Sequence, residues 1–542
     1  MKENIIKGTL ILSITSIIIR SIGFVFRIYL ANTIGAEGIG LYQLIMAFYM
    51  LSITFATSGI SLAVSRIVAE EMAKNKQQNV KKALRISILL SLITSGIATV
   101  ILFFGAEYIS VYILKDARAI LPLKYLAPSL PFLAFSACYR GYFHAVRNIV
   151  KPSSAQVLEQ FVRIFVTIAL LKLVEVGNVV YACCAAMIGM TAGEVISYIY
   201  IWLLYRVDSF LNGENFIKRI FSRLSRKNTT PNYSNNSAKN IFAKNPFKKP
   251  DKLLLNMLSI SIPVAGTSYL NSVLRLLENT LIPIKLIASG MTVSSAMSIY
   301  GVIKGMVLPI LFFPTSFLSS LSTILMPSLS SDNVNNNDKH MTYTLSKVLH
   351  FTSISGILVV SFFMLFPYEL GDALYSGIHV GYLIRILSLL CPFMYLNMVI
   401  GSVLNALGEQ VNNFKINLIE SIIKILMIFF LVPIYGFKAY LLALFVTTVL
   451  NTILYMYRLL KVSYLIFDVS NWVFKPIFAA TISGLITRIM YIGIFKSQFS
   501  TNISLILSMV SIVLIYLVLL FILKGLTTSD LDTLKRSFRK RR

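Results

Sequence analysis

Fourteen long apolar runs, at roughly 5–31, 39–64, 86–104, 119–143, 154–172, 177–205, 253–284, 293–326, 347–366, 380–404, 414–434, 437–460, 472–495 and 500–523, constrain this chain more than any other feature. A helix needs about 20 apolar residues to cross a bilayer. Inside hydrocarbon every backbone polar group must be satisfied by the segment itself or by a closed barrel. Continuous runs of this length, without period-two alternation, select helices. The expected fold is an all-α polytopic membrane protein with 14 transmembrane helices. At 56% hydrophobic over 542 residues, a soluble domain would leave far too much apolar surface uncovered. The first run is too long for a signal peptide and lacks a small-residue cleavage site.

The basic residues are not spread evenly. Lys2 and Lys7 precede the first run. Arg66, Lys74, Lys76, Lys81, Lys82 and Arg85 fill the second loop, and Arg140, Arg147 and Lys151 the fourth. Eleven Lys or Arg occupy 206–252, and the chain closes on FRKRR. The odd-numbered loops hold only Lys115 and Arg118, Lys285, Lys438 and Lys496. Loops rich in Lys and Arg stay in the cytoplasm, so both termini are expected there, in the cell membrane. This placement also reads the net charge of +28 as topology and contact with anionic phospholipid, with no nucleic-acid partner.

The two halves of the chain repeat. LAPSLPFLAFSACYRGYFHAVRNIVKPSSAQVLEQFVRI, from Leu126, aligns with LSLLCPFMYLNMVIGSVLNALGEQVNNFKINLIESIIKI, from Leu387. Pro131 meets Pro392, Glu159 meets Glu420 and Arg163 meets Lys424, a constant step of 261 residues. Six runs per half is an even number, so the copies run parallel. The chain therefore divides into an N-terminal six-helix bundle (1–205), a disordered basic cytoplasmic linker (206–252), a C-terminal six-helix bundle (253–462), two appended transmembrane helices (463–524) and a basic amphipathic tail (525–542). Two-bundle designs of this kind carry their substrate path between the halves.

Charges within the runs are the candidate site residues, because ionisable groups at membrane depth are costly and mark function. Arg20 and Arg27 lie two turns apart on one face of the first run, about 10 Å along the helix. No acid lies within four residues of either. Arg275, in the seventh run, is a third candidate, able to pair with Glu278 or to face the same path. Lys304, between Gly301 and Gly305, and the acids Glu278, Glu194 and Glu37 are candidates for the cavity or for coupling. Glu159–Arg163 and Glu420–Lys424 are expected as internal i,i+4 salt bridges, and Arg385 and Arg488 as snorkelling side chains. Cys138, Cys183, Cys184 and Cys391 all fall in apolar runs without metal spacing and read as small buried residues. There is no His/Asp or Cys/His constellation, no GxxxxGK[ST] loop and no Asp cluster, so neither catalytic residues, a metal nor a cofactor is expected.

RSIGFVFRIYLANTIGAEGIGLYQ, with the six-plus-six-plus-two layout, resembles the MOP superfamily. The likeness is strongest to its polysaccharide-transport branch and the stage V sporulation protein B-like group, relatives of the MurJ-type lipid II flippases. This resemblance implies a non-enzymatic flippase for an undecaprenyl-diphosphate-linked precursor, such as peptidoglycan lipid II for the spore cortex. Arg20, Arg27 and Arg275 would hold the diphosphate, and cell-wall synthesis proteins would be partners. The flippases carry an acid early in the second helix; here Glu37 stands just before the run that opens at Ile39. A MATE-type multidrug or cation antiporter is the alternative on the same fold, and it wants carboxylates where the first run has arginines.

Overall fold

The computed structural model describes residues 2–224, 252–319 and 338–526, apart from positions 58, 75, 176, 464, 466 and 467, together with 329, 330, 332 and 335. The described residues form helices and their connections, as the apolar runs require. Two of the longest helices are hairpins. Lys2–Thr57 folds back at Gly35 (φ 73°, ψ 179°), giving spans 1 and 2, and Gln410–Val462 folds back at Gly436 (φ 59°, ψ −138°), giving spans 11 and 12. Both turns need positive φ, which glycine adopts at no steric cost. Span 2 continues beyond Gly59 as Ile60–Ala73.

Span 3 is Gln77–Phe104, span 5 Val150–Leu171 and span 6 Val179–Leu224. Span 7 is Lys252–Ala288, span 8 begins at Val293, and span 9 is Asp338–Leu365. Spans 13 and 14 are Ser470–Gln498 and Thr501–Ile522. Spans 4 and 10 are bent pairs, Ala117–Leu126 with Ser129–Ala145 at 44° and Gly381–Ser388 with Cys391–Ala406 at 55°. Pro128, Pro131 and Pro392 sit at or just beyond the two bends. A proline removes a backbone donor and clashes with the preceding turn. With the hairpin arms counted singly, the described helices accommodate fourteen passes.

The repeat seen in the sequence returns in the backbone. Arg147 (φ 58°) and Gly408 (φ 84°) take left-handed conformations 261 residues apart, and Lys115 (φ 58°) and Gly377 (φ 74°) do so 262 apart. The bends in spans 4 and 10 are another matched pair. Spans 13 and 14 pack on span 9: Tyr516 in span 14 donates to the Ile354 carbonyl at 3.1 Å. Arg488 in span 13, expected to snorkel, instead donates to Glu369 at 2.5 Å and lies over the Phe366 and Tyr491 rings.

Two boundaries differ from the sequence reading. Span 6 remains helical to Leu224, well into the stretch assigned to the linker. Helix formers such as Leu, Arg and Lys outlast the apolar run and keep the ladder going in water. The centre of that linker, 225–251, and the tail from 527 onward lie outside the described residues. Span 2 resumes helical geometry at Ala36, so Glu37 is in its first turn and not ahead of it. A carboxylate there meets the positive end of the helix dipole.

Candidate functional site

Spans 1, 2, 5 and 8 line an open cavity of about 370 Å³. Arg20, Gly23, Phe24 and Arg27 line it from span 1, Gln160 and Arg163 from span 5, and Phe313 and Ser316 from span 8. Arg20 is exposed and Arg27 half-buried. The Arg20 guanidinium donates to the Ser319 hydroxyl at 2.8 Å, linking span 1 to span 8. Among the described residues neither Arg20 nor Arg27 has a carboxylate partner. Arg163 donates to Glu159 at 2.8 Å, while its Nε is buried without a partner. The lining therefore presents three guanidiniums and no carboxylate. Phe24 and Phe313, stacked at 4.7 Å, supply an apolar wall.

The Arg163–Glu159 pair was expected as an internal brace, and it forms. Sequence reasoning missed that the same guanidinium also faces the cavity. The seven-residue spacing of Arg20 and Arg27 identifies their shared face, but nothing local to span 5 says which way that helix turns.

The other candidates sit elsewhere. Arg275 is exposed, is outside this lining, and does not pair with Glu278. Glu278 instead accepts from Lys304 of span 8 at 2.7 Å and lies 3.7 Å from Lys424 of span 11. Lys424 also pairs with Glu420 at 2.5 Å, the expected i,i+4 bridge. Two acids and two lysines thus neutralise one another where spans 7, 8 and 11 meet. A buried carboxylate gains more from two ammoniums on facing helices than from one partner on its own exposed flank. Glu194 lies one layer behind the cavity, 4% exposed, with Oε2 unpartnered.

The ends of the spans away from the N-terminus are closed by contacts between the halves. The Asn32 side chain donates to the Leu374 carbonyl at 2.8 Å and accepts from the Ser376 N–H at 3.1 Å. Glu37 accepts from Ser294 of the other half at 2.6 Å and is braced by Arg118 of its own half at 2.5 Å. Beneath these, spans 2 and 8 touch backbone to backbone. A methyl on Gly40 would fall 2.1 Å from the Met297 carbonyl oxygen, and one on Gly301 2.1 Å from that of Ala36. Small residues permit such approach in membranes. The Gly301–Gly305 spacing was the signal for it, read in the sequence only as flanking Lys304.

Two six-helix bundles meeting along spans 1, 2, 7 and 8, with a charged cavity where they meet, define a multi-pass membrane protein of transporter architecture. The chain belongs to the polysaccharide biosynthesis protein family, whose model matches residues 5–320. It is 26% identical to stage V sporulation protein B of Bacillus subtilis (strain 168) over 464 residues, 85% of this chain and 84% of that one. It is 29% identical to the lipid II flippase MurJ of the same organism over 215 residues, 37% and 40% of the two chains. Among solved structures it is similar to lipid II flippase MurJ in an inward closed conformation, with TM-score 0.66 and 15% identity over 95% and 98% of the chains. An inward-facing MATE family transporter of the MOP superfamily matches with TM-score 0.60 and 12% identity over 83% and 98%. These likenesses establish the MOP fold.

Proposed function

We propose that this protein is a flippase that moves an undecaprenyl-diphosphate-linked precursor across the cytoplasmic membrane, with peptidoglycan lipid II for spore cortex synthesis as the favoured cargo. One observation carries the reading: three guanidiniums and no carboxylate line the cavity between the halves. Arginine offers a planar fork of donors that matches phosphate oxygens two at a time, and it keeps its charge in a poorly hydrated site. At about 370 Å³ the cavity lies near the lower end of small-ligand sites, which run from roughly 300 to 1,000 Å³. That volume suits the diphosphate and adjoining atoms, with the lipid tail left in the bilayer.

The similarity to stage V sporulation protein B and to the lipid II flippase MurJ supports the cargo class. Loop charges support cytoplasmic termini, which makes the sealed ends the outer ends and the described state one closed to the outside. Alternating access would then proceed by rocking the bundles about the contact of spans 1 and 2 with spans 7 and 8. The chain carries no nucleotide-binding motif, so the drive is the membrane potential or an ion gradient. Arg275, exposed on span 7, fits a second station for the headgroup outside this cavity. The antiporter reading shares the fold but needs an acid in the cavity to attract a cation.

The test is reconstitution into vesicles holding fluorescent lipid II, with a membrane-impermeant quencher reporting the outer leaflet. Protein-dependent exposure of the label supports the proposal. No exposure above empty vesicles, together with ethidium efflux by the same preparation, would replace it with the antiporter.

A further inference from the structure

Glu194 is the buried carboxylate that the cavity does not use directly. It is 4% exposed, and its Oε2 finds no hydrogen-bond partner. Gly193 beside it lets span 6 press on span 5: a methyl there would lie 2.9 Å from the Glu159 carbonyl oxygen and 3.3 Å from Arg163 Cβ. The charged and titratable groups facing Glu194 are Glu159 and Arg163 from span 5, Arg140 from span 4 and Tyr49 from span 2. Tyr49 is engaged, 2.6 Å from the Ser129 hydroxyl. Ser197, one turn on from Glu194, is also buried with its hydroxyl unpartnered.

A bare carboxylate oxygen in a dry layer costs several kcal/mol unless it is paired or neutralised. A metal ion is a poor remedy here, because two guanidiniums already stand around the site. A proton neutralises the oxygen without adding a cation's bulk or needing further ligands.

We propose that Glu194 is a proton-binding site whose occupancy is linked to the binding of an anionic headgroup in the cavity. This rests on reading the cavity as an anion site. With Glu194 ionised, the two acids Glu159 and Glu194 balance Arg140 and Arg163. With a proton on Glu194 the same cluster carries one positive charge in excess, and Arg163 is its member on the cavity wall. A proton therefore strengthens the hold on phosphate, and by reciprocity a bound phosphate strengthens the hold on the proton. One linked proton changes affinity by at most about tenfold per pH unit.

The experiment uses the full-length protein in detergent with geranylgeranyl diphosphate as probe, comparing wild type with Glu194→Gln. Titration of the probe itself is common to both and cancels. The wild type should bind more tightly as pH falls and take up protons on binding, read with an indicator dye. Glu194→Gln should lose that share of the pH dependence and of the proton uptake, while binding at neutral pH as the acidified wild type does. Binding with identical pH profiles in the two proteins overturns the linkage alone, whereas no binding by the wild type overturns the cavity reading and the linkage with it. Infrared spectra of the unliganded proteins give a second readout. A protonated-carboxyl band present in the wild type and missing from Glu194→Gln supports the site. Absence of that band from mildly acidic to mildly alkaline pH, with probe affinity that follows sodium concentration, assigns the site to a metal ion and overturns the proposal.

Discussion

Replacing Arg20 with alanine separates a binding role from a structural one, because the side chain has little to hold up. In the unliganded protein the change removes one hydrogen bond, to the neutral Ser319 hydroxyl at 2.8 Å. The donor is charged, but the side chain is exposed and water competes for it, so the bond contributes only about 1 kcal/mol net. No carboxylate among the described residues is left without its partner, so the larger penalty of breaking a buried ion pair does not arise. With a diphosphate bound, the same change removes a charge-assisted, two-pronged contact, about 3 kcal/mol on the scale of hydrogen bonds to charged groups. The difference is about 2 kcal/mol, or roughly a 30-fold rise in Kd. Arg20→Lys keeps the charge and loses the fork, and should fall between the two. Arg20→Ala with Arg27→Ala should be non-additive, since both arginines would grip one headgroup. Isothermal titration with geranylgeranyl diphosphate reads the affinity, and thermal unfolding of the same samples reads the stability. An Arg20→Ala protein that binds the probe like wild type would refute the reasoning. So would one that loses binding only in proportion to a lowered melting temperature.

Three further outcomes are expected. Asn32→Ala removes two hydrogen bonds between the halves, about 1–3 kcal/mol together, so distances between spin labels at the ends of spans 1 and 8 nearest Gly35 should broaden toward an open state; an unchanged distribution counts against the seal. Gly301→Leu forces a side chain into a contact where even a methyl would sit 2.1 Å from the Ala36 carbonyl oxygen; it should open the same seal or lower the melting temperature, while Gly266→Ala, with open space around it, should do neither. Glu409, in the turn before span 11, is held below the usual carboxylate range by Asn412 first and Arg458 next. Its ionised form is therefore preferred when folded, and its contribution is present above the unfolded value of about 4.3 and lost as pH falls through the lower folded value. The melting-temperature gap between wild type and Glu409→Gln should stay constant at neutral pH and shrink below about pH 4.

The parts of the structure that were legible from sequence are those governed by one segment at a time. Apolar length marks the passes, and the constant 261-residue step marks which of them correspond between the halves. Glu159–Arg163 and Glu420–Lys424 pair at i,i+4, as a helix surface demands. What the sequence hid depends on which helix lies opposite. Glu278 has Arg275 three residues away yet turns to Lys304 and Lys424, because partners on facing helices lie where the carboxylate is buried. Arg163 reaches the cavity only because span 5 is rotated to show it there. Gly40 and Gly301 matter through each other, 261 residues apart on the chain but in backbone contact.

The repeat sets the charges of the two bundles at matched positions. Glu159–Arg163 and Glu420–Lys424 occupy equivalent places in the two halves, and each keeps its internal bridge. In the C-terminal bundle the cation also meets Glu278, which Lys304 already holds, and four charges cancel there. In the N-terminal bundle the cation stands on the cavity wall beside Arg20 and Arg27, with Glu194 behind it and no lysine to answer. The arginines that line the cavity thus all come from the N-terminal half, while Arg275 of the other half is exposed outside it. On the proposed flippase reading, the bundle whose charges cancel here would move against the other without dragging the headgroup by its charge, while the bundle carrying Arg20 and Arg27 would keep hold of it. Such an asymmetry would let rocking of the halves open the path at either end while the phosphate stays on the same set of donors.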